Sequence, residues 1–543
     1  MGIGVAIGAL VSSIAGAAST AVAAIGGFGA IGKAVLTTAL SVGVNIASKK
    51  LFGPKPPDQK QGRSGNLRTS TMPHHVVLGE VRKGGLIAYV NGSGPSNNNK
   101  WLYLAVVVAS HEVESMDTLH VGGTETAFDD LDNGNAVGRL HDYAFFKFHT
   151  GSPTQAADAV LVAANANWTT AHQFKGRAYV RAELRESPAR FPSFIPALTV
   201  TMKGAKDIYD PRAGGSTGYT KNPALQAAWV LETYCNVPRA RIDQTSLETA
   251  ADICDESVTI KDLSSVNRYE SSGFFELQGH PEDWLDPITR AMAGAVVEHN
   301  GNYYIYAGAY TSPVVTITDD DIVGDILYST ARSTLERPNT IKGIFVSPET
   351  YDAPAEYIAV TGTAADENEF LNEDNGVENV MEWDLEFCQT HEQARRVASI
   401  ILRTNRMDET IECDVNLQIG LDVKPWDTVT LNSTVLGIND TFRILDHKRV
   451  VDPQGPRAYV TLSLRKVASS IYDWTPASQE KDLNISTPVT PDEPVETTPS
   501  VIVGDEPTND EEQVGSIYLN EQSSNRGTGR GPFIVRKKVE KTS

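Results

Sequence analysis

The side chains that could do chemistry are scattered through the sequence, and their spacings point away from catalysis. Gly214-Gly215-Ser216-Thr217-Gly218 has the form of a serine nucleophile elbow. An elbow requires a sharp turn from a strand straight into a helix. Here a stretch of loop precedes Ser216 and no His follows closely, so a flexible glycine-rich loop is expected. His391-Glu392 begins a zinc-helix pattern, but Arg395 stands where the second His belongs. His74-His75 could meet a metal, yet neighbours on a strand point to opposite faces, and a surface pair is expected. Asp319-Asp320-Asp321 could gather calcium, but Val323, Asp325 and Leu327 break the ligand pattern. A capping or loop role is expected there. Cys235, Cys254, Cys388 and Cys413 form no C-x-x-C pair and have no His cluster beside them. That argues against a zinc site or a disulfide framework and fits folding in a reducing cytoplasm. No phosphate-binding loop occurs. The expectation is no enzyme, no catalytic residue, no metal and no cofactor.

The elements that hold these residues follow from pattern. The 543 residues suggest roughly three to five domains. A net charge of −21 argues against sequence-nonspecific binding of nucleic acid, which needs a basic face. It suits solubility, or a conduit along which DNA slides without sticking.

Met1–Gly32 carries no charged side chain, and the apolar run resumes after Lys33 as far as Lys49-Lys50. About 20 apolar residues span a bilayer, so length alone permits a crossing. A signal peptide lacks its basic start here, and Ala6 breaks a myristoylation pattern. Transmembrane insertion stays open beside close packing of small-residue helices. The second is favoured, with Gly26-Gly27 dividing two helices. The apolar positions of this lumen or membrane segment are Ile3, Val5, Ile7, Leu10, Ile14, Val22, Ile25, Phe28, Ile31, Val35, Leu36 and Leu40. Residues 1–52 form this segment, and 53–70 read as a linker.

From residue 71 short alternating runs predict strands. Val76–Val90 reads as a hairpin about Lys83-Gly84-Gly85, and Met116–Phe128 as a hairpin about Gly122-Gly123. Lys100–Ser110, Gly176–Arg185 and Pro196–Gly204 read as further strands. Asn222 and Pro223 predict a helix through Tyr234, with Asn222 as cap. Thr245 and Glu248 suggest a capping box opening a second helix. Pro281–Tyr310 reads as a helix and a hairpin turning at Asn300-Gly301. A helix capped by Thr390 and four strands, beginning with Ile411–Ile419, come next. The fold class is α+β, mostly antiparallel β: small β-barrel, sandwich and α/β domains with an apolar helical N-terminus and an extended C-terminal tail. The domains fall at 71–215, 216–345 and 346–475. Order is expected to fail from Trp474, leaving 476–543 as a Pro-rich acidic linker and a basic tail. That tail either adds strands to a partner's sheet or stays solvated.

Lys203–Leu231 reads KGAKDIYDPRAGGSTGYTKNPALQAAWVL. This resembles the signature of the phage host-specificity protein J and gene-transfer-agent hub family. The matching residues are Tyr209, Asp210, Pro211, Arg212, Tyr219, Asn222, Pro223, Ala224 and Leu225. Leu78–Val90, Asn167–His172 and Thr316–Ile326 are similar to further blocks of that family, in order. The resemblance implies a homotrimeric tail-tip hub that adapts a six-fold tail tube to a three-fold tip and encloses the DNA channel. It implies contact with distal tail, tail-tube and tape-measure proteins, and passage of DNA without specific binding. The expected place is the virion tail tip, after synthesis in the host cytoplasm. Longer members continue into receptor-binding modules, so the C-terminal tail is expected to tether separate fibre or tip proteins. Residues 1–50 are expected to plug the lumen or meet the host envelope. A hub-borne cell-wall hydrolase and direct receptor binding are the alternatives. Within the signature, Pro211 would fix a turn, Asp210 satisfy turn amides, and Arg212 bridge to a carboxylate.

Overall fold

The two runs flanking Lys83-Gly84-Gly85 are both strands, but they do not form the expected hairpin. Glu80–Gly84 pairs antiparallel with Leu198–Ala205, while Leu86–Ser93 pairs with Trp101–Ala109. At Gly85, between the two strands, the backbone lies so close to its neighbour that a Cβ would be 2.4 Å from the Val107 carbonyl oxygen. Glycine admits this approach to the strand 101–109, and the chain crosses there from one sheet to another instead of reversing on itself.

The structure, a computed structural model, describes residues 73–93, 100–164, 167–191, 195–333, 337–348, 353–451 and 458–483. These lie in one compact unit that ends at Leu483. The expectations for residues 1–52, the 53–70 linker up to residue 72, and 484–543 lie outside the described residues.

Two sheets enclose the first core. One has six strands, in the order 86–93, 101–109, 178–185, 144–149, 135–136, 128–129. The other has four, in the order 80–84, 198–205, 113–121, 124–125, the last pair turning at Gly122-Gly123 as expected. Leu104, Val106 and Val108 from the first sheet meet Leu119, Val200 and Met202 from the second, all buried. The other face of the six-stranded sheet is covered as well. Ala105 and Tyr179 pack there under Leu161 and Trp168. Burial on both faces explains why Leu104–Ala109 is a continuous apolar run with no alternation.

Four longer helices follow. Helix α1 is Pro223–Thr233, α2 Gln244–Asp255, α3 Pro281–Ala291 and α4 His391–Arg406. Helix α1 packs against α2 and α3 and is buried from Pro223 through Leu231. Helix α2 opens earlier than the Thr245 box suggests. Its cap is Asp243, whose Oδ1 accepts the Ser246 amide at 2.8 Å. A carboxylate at this position also meets the positive end of the helix dipole, which favours it over Thr245. After α3 comes the expected hairpin, Ala295–His299 with Asn302–Tyr306, Asn300 taking a left-handed φ of 56°.

A second six-stranded sheet has the order 315–318, 428–433, 438–451, 458–466, 410–416, 322–329. Its first pair is parallel and the remainder antiparallel. Ile317, Ile411, Val429, Phe442 and Leu462 fill its core. The strand expected through Ile419 stops at Asn416, because that side chain accepts the Ile419 amide at 3.0 Å and caps a short helix, Leu417–Asp422. Order also runs past Trp474. Pro476–Gln479 forms a helical turn, Trp474 Nε1 donates to Glu480 at 3.1 Å, and Gln479 and Glu480 are buried. The fold is α+β and mostly antiparallel.

Candidate functional site

The segment that resembles the hub signature is a tight hairpin running into a capped helix. Ile208–Asp210 pairs with Ser216–Gly218, and Arg212–Gly214 forms a 3-10 turn between them. Gly215 has a φ of 78°, and a Cβ there would come within 2.8 Å of the Tyr209 hydroxyl. Glycine is therefore required where the aromatic ring lies under the turn.

Asp210 closes the turn from within. Its Oδ1 accepts the Arg212 amide at 3.0 Å, and the Arg212 guanidinium forks back onto it, Nε to Oδ1 at 3.0 Å and Nη2 to Oδ2 at 2.9 Å. The same guanidinium reaches α2, with Nη1 to Asp252 at 3.0 Å and Nη2 to Asp255 at 2.8 Å. One cation thus serves three carboxylates. The hydrogen bonds that Arg212 donates to Asp210, then those to Asp255 and Asp252, push its pKa up against the opposing effect of burial. Burial alone would raise the Asp210 carboxyl, but the Arg212 hydrogen bonds prevail and hold it below the ordinary range.

Aromatic and polar contacts complete the site. Arg239 lies 3.8 Å from the Tyr209 ring centroid and forks onto Glu232 at 2.7 Å. Asn222 is buried. Its Oδ1 accepts the amides of Ala224 at 3.1 Å and Leu225 at 3.4 Å, and its Nδ2 donates to the Ala251 carbonyl at 2.9 Å. Pro223 occupies the first turn, where an amide hydrogen would be unused. Tyr219 has a buried hydroxyl, and desolvation raises its pKa. Pro211 leads the 3-10 turn at φ −69°. The nine signature residues therefore sit on one continuous stretch that ties the hairpin to α1 and α2. Asp252 and Asp255 are not part of the sequence pattern. Their spacing of three on a helix puts both on one face, and that is the sequence signal that could find them.

The other candidate residues are dispersed. Ser216 lies exposed on a strand of the hairpin, with no strand-to-helix elbow. His74 is exposed, but His75 is buried, so the expected surface pair is corrected. Lys83 Nζ donates to His75 Nδ1 at 2.6 Å and to the Val108 carbonyl at 2.8 Å, drawing His75 into the seam between sheets. Asp321 accepts the Thr318 amide at 2.9 Å, and Asp319 accepts the Thr434 amide at 2.8 Å. Both act as caps and turn clamps. His391 starts α4, and its Nε2 accepts the Ile358 amide at 3.2 Å. All four cysteines are free thiols. Burial pushes Cys388 and Cys413 up to about 12, which makes them unreactive at neutral pH. Among the described residues no group of three or more His, Cys, Asp or Glu is placed to hold a metal ion. No described helix is long and apolar enough to cross a membrane. The apolar positions Ile3 to Leu40 lie outside the described residues.

Comparison with known proteins follows the same direction. Residues 280–446, from α3 into the long strand 438–451, match the family described as "Putative phage tail protein". The fold is similar to that of a chain in the solved virion of a native gene transfer agent particle. That match covers 84% of this chain and 100% of the other at 13% identity, with a TM-score of 0.56. Weaker matches are a tail protein of Neisseria meningitidis MC58 and a 43 kDa tail protein of prophage MuSo2 from Shewanella oneidensis. The first covers 75% of this chain and 99% of the other, with 8% identity and a TM-score of 0.31. The second covers 74% and 100%, with 12% identity and a TM-score of 0.30. No curated protein sequence matches the chain. The chain thus resembles a phage tail family over residues 280–446, and its fold resembles that of a gene transfer agent virion chain.

Proposed function

We propose that this chain is the central hub of a tail tip: three copies close around the axis, adapt a six-fold tube to a three-fold tip, and enclose the channel for DNA. What supports this reading is the tail-family match over residues 280–446, together with the tie that the Tyr209–Leu225 segment makes between its hairpin and helices α1 and α2. A hub must transmit load between domains without shearing. The Arg212 junction with Asp210, Asp252 and Asp255 suits that task, because a forked guanidinium resists reorientation better than a point charge. The signature has a structural role in this reading.

Surface chemistry supports assembly. Val323, Leu327, Leu445 and Val451 of the second six-stranded sheet are large apolar side chains left exposed. Such surface suits contacts made with neighbouring subunits. The net charge of −21 suits a passage that DNA must traverse without binding. In this proposal the neighbours are distal tail, tail-tube and tape-measure proteins, with separate fibre or tip proteins held by residues 476–543. Residues 1–50 plug the lumen before infection or meet the host envelope at ejection.

The test is cryo-electron microscopy of purified particles with symmetry released at the tip. Three copies about the axis, with the 315–329 and 410–466 sheet facing neighbouring proteins, are expected. Six copies, or absence of the chain from the tip, would overturn the hub assignment.

A further inference from the structure

Lys83 is fully buried at the corner where the chain crosses between sheets, and among the described residues it has no ion pair. Its Nζ donates to His75 Nδ1 and to the Val108 carbonyl, and it lies 4.8 Å from the centroid of the Phe274 ring. A buried ammonium without a carboxylate in contact is costly, and such a group sheds its proton instead. Glu276 is reached only through His75, whose Nε2 lies 3.3 Å from Glu276 Oε1. The ring is not aligned for a hydrogen bond there, so Glu276 acts on the amine by charge alone.

Among the described residues the other neighbours bring no countercharge. His111, in the turn after strand 101–109, is held neutral: its Nε2 accepts the Val77 amide at 2.9 Å and its Nδ1 donates to the Glu112 carbonyl at 2.8 Å. His75 is neutral too, because its Nδ1 accepts from Lys83. Val200, opposite Lys83 in the adjoining strand, is apolar. Arg82, next to Lys83 on its own strand, points to the other face and donates to Thr199 Oγ1 at 3.1 Å.

The amine is covered by the strand pair 75–78 and 273–276, through His75 and Phe274. This pair belongs to no larger sheet. A short two-stranded pair is marginal by itself, so this one depends on burying Val76, Val77, Leu78, Phe274 and Phe275. Its polar end is the end over Lys83, since His75 and Glu276 are register partners there. Lifting that end gives the amine access to water, and a protonated amine gains far more from water than a neutral one.

We propose that the pair 75–78 with 273–276 is a pH-sensitive latch: a proton taken up by Lys83 loosens it, and release of that proton tightens it. In the closed state burial, partly offset by the charge of Glu276, lowers the Lys83 pKa from 10.5 to about 7. Between those values the open state holds a proton that the closed state lacks. Opening therefore increases as pH falls through this window, by at most about tenfold per pH unit, and levels off below about pH 7.

The test is hydrogen–deuterium exchange of the full chain from about pH 6 to about pH 9, corrected for the pH dependence of intrinsic exchange. Opening at Val76–Leu78 and Phe274–Glu276 is expected to rise by about tenfold or more from about pH 9 to about pH 7, and to exceed that of the core strand Ala178–Arg185 at every pH. Lys83→Met should flatten the pH dependence. Glu276→Gln removes the charge that supports the ammonium, so the levelling-off should move to lower pH. That partly exposed position decides the matter if Lys83→Met does not fold. Opening of the pair that ignores pH in the natural chain, or that keeps its full pH dependence in Lys83→Met, would overturn the latch. So would a pair that exchanges no faster than Ala178–Arg185, because its opening would then be global unfolding.

Discussion

Arg212 and Asp255 are bonded across 43 residues of sequence, Nη2 to Oδ2 at 2.8 Å, and this contact fastens the Asp-Pro-Arg turn to the end of α2. Arg212 is about one-quarter exposed and Asp210 similarly so, which leaves their fork partly shielded from solvent. Removing the guanidinium strands Asp210 beside its own turn. We expect Arg212→Met to destabilise by about 1.5–3 kcal/mol, read as a lower denaturant midpoint of the full chain. Arg212→Lys should recover less than half of that, because an ammonium cannot hold Asp210 bidentately while reaching α2. Equal stability of the Lys variant and the natural chain would mean that charge alone matters here.

Asn222 does two jobs with one amide. The oxygen caps α1 and the nitrogen holds the Ala251 carbonyl of α2. Asn222→Asp keeps the cap and loses the donor, whereas Asn222→Ala loses both. The expected costs are about 1 kcal/mol or more for Asp and about 2–3 kcal/mol for Ala, compared by urea unfolding. If Asp proved as stable as Asn, the bond between the helices would carry no weight.

These two cases mark how much of the molecule is legible in its sequence. The α1 start is readable because capping is local: Asn222 and Pro223 act on the amides beside them. The Gly122-Gly123 and Asn300-Gly301 hairpins are readable for the same reason. The Lys83 corner is not. Its alternation predicts strands correctly, but their partners lie at 101–109 and 198–205, and nothing local distinguishes a hairpin from a crossing between sheets. Likewise the strands 315–318 and 322–329 join a sheet whose other members begin only at residue 410. Within the site, Asp210 and Arg212 are local partners, while Asp252 and Asp255 come from a separate helix. A charged surface helix looks the same in sequence with or without a partner.

Lys83 should make stability depend on alkaline pH. Burial, partly offset by the charge of Glu276, lowers its pKa from 10.5 to about 7. Burial and Lys83 together hold His75 down to about 2, so His75 stays neutral. Between pH 7 and 10.5 the unfolded chain holds a proton on Lys83 that the folded chain has released. Stability from this group therefore rises with pH across that window, with a slope of at most about 1.4 kcal/mol per pH unit. Lys83→Met should remove this contribution to the slope, measured by urea unfolding at steps from pH 7 to 10. An unchanged slope in the variant would show that Lys83 stays protonated in the fold.

Acid should release a different clamp. Asp374 Oδ2 accepts Arg406 Nη1 at 2.8 Å and Asn339 Nδ2 at 2.9 Å, and its Oδ1 accepts Arg337 Nη2 at 2.9 Å. Its side chain is 14% exposed. Burial opposes the charge, but these hydrogen bonds, Arg406 first, bring the carboxyl from 3.8 down to about 2. A depressed acid stabilises the fold above its unfolded pKa and loses that contribution as pH falls through its folded one. The window is therefore about pH 4 to 2 for this group. Arg337 keeps a second carboxylate, Asp408, at 2.8 Å, so the region does not depend on Asp374 alone. Asp374→Asn should cost about 2 kcal/mol at pH 7, and the difference from the natural chain should close as pH falls from about 4 to about 2. A difference that persisted undiminished at pH 2 would assign the loss to altered packing of the Asn side chain and not to the carboxylate charge.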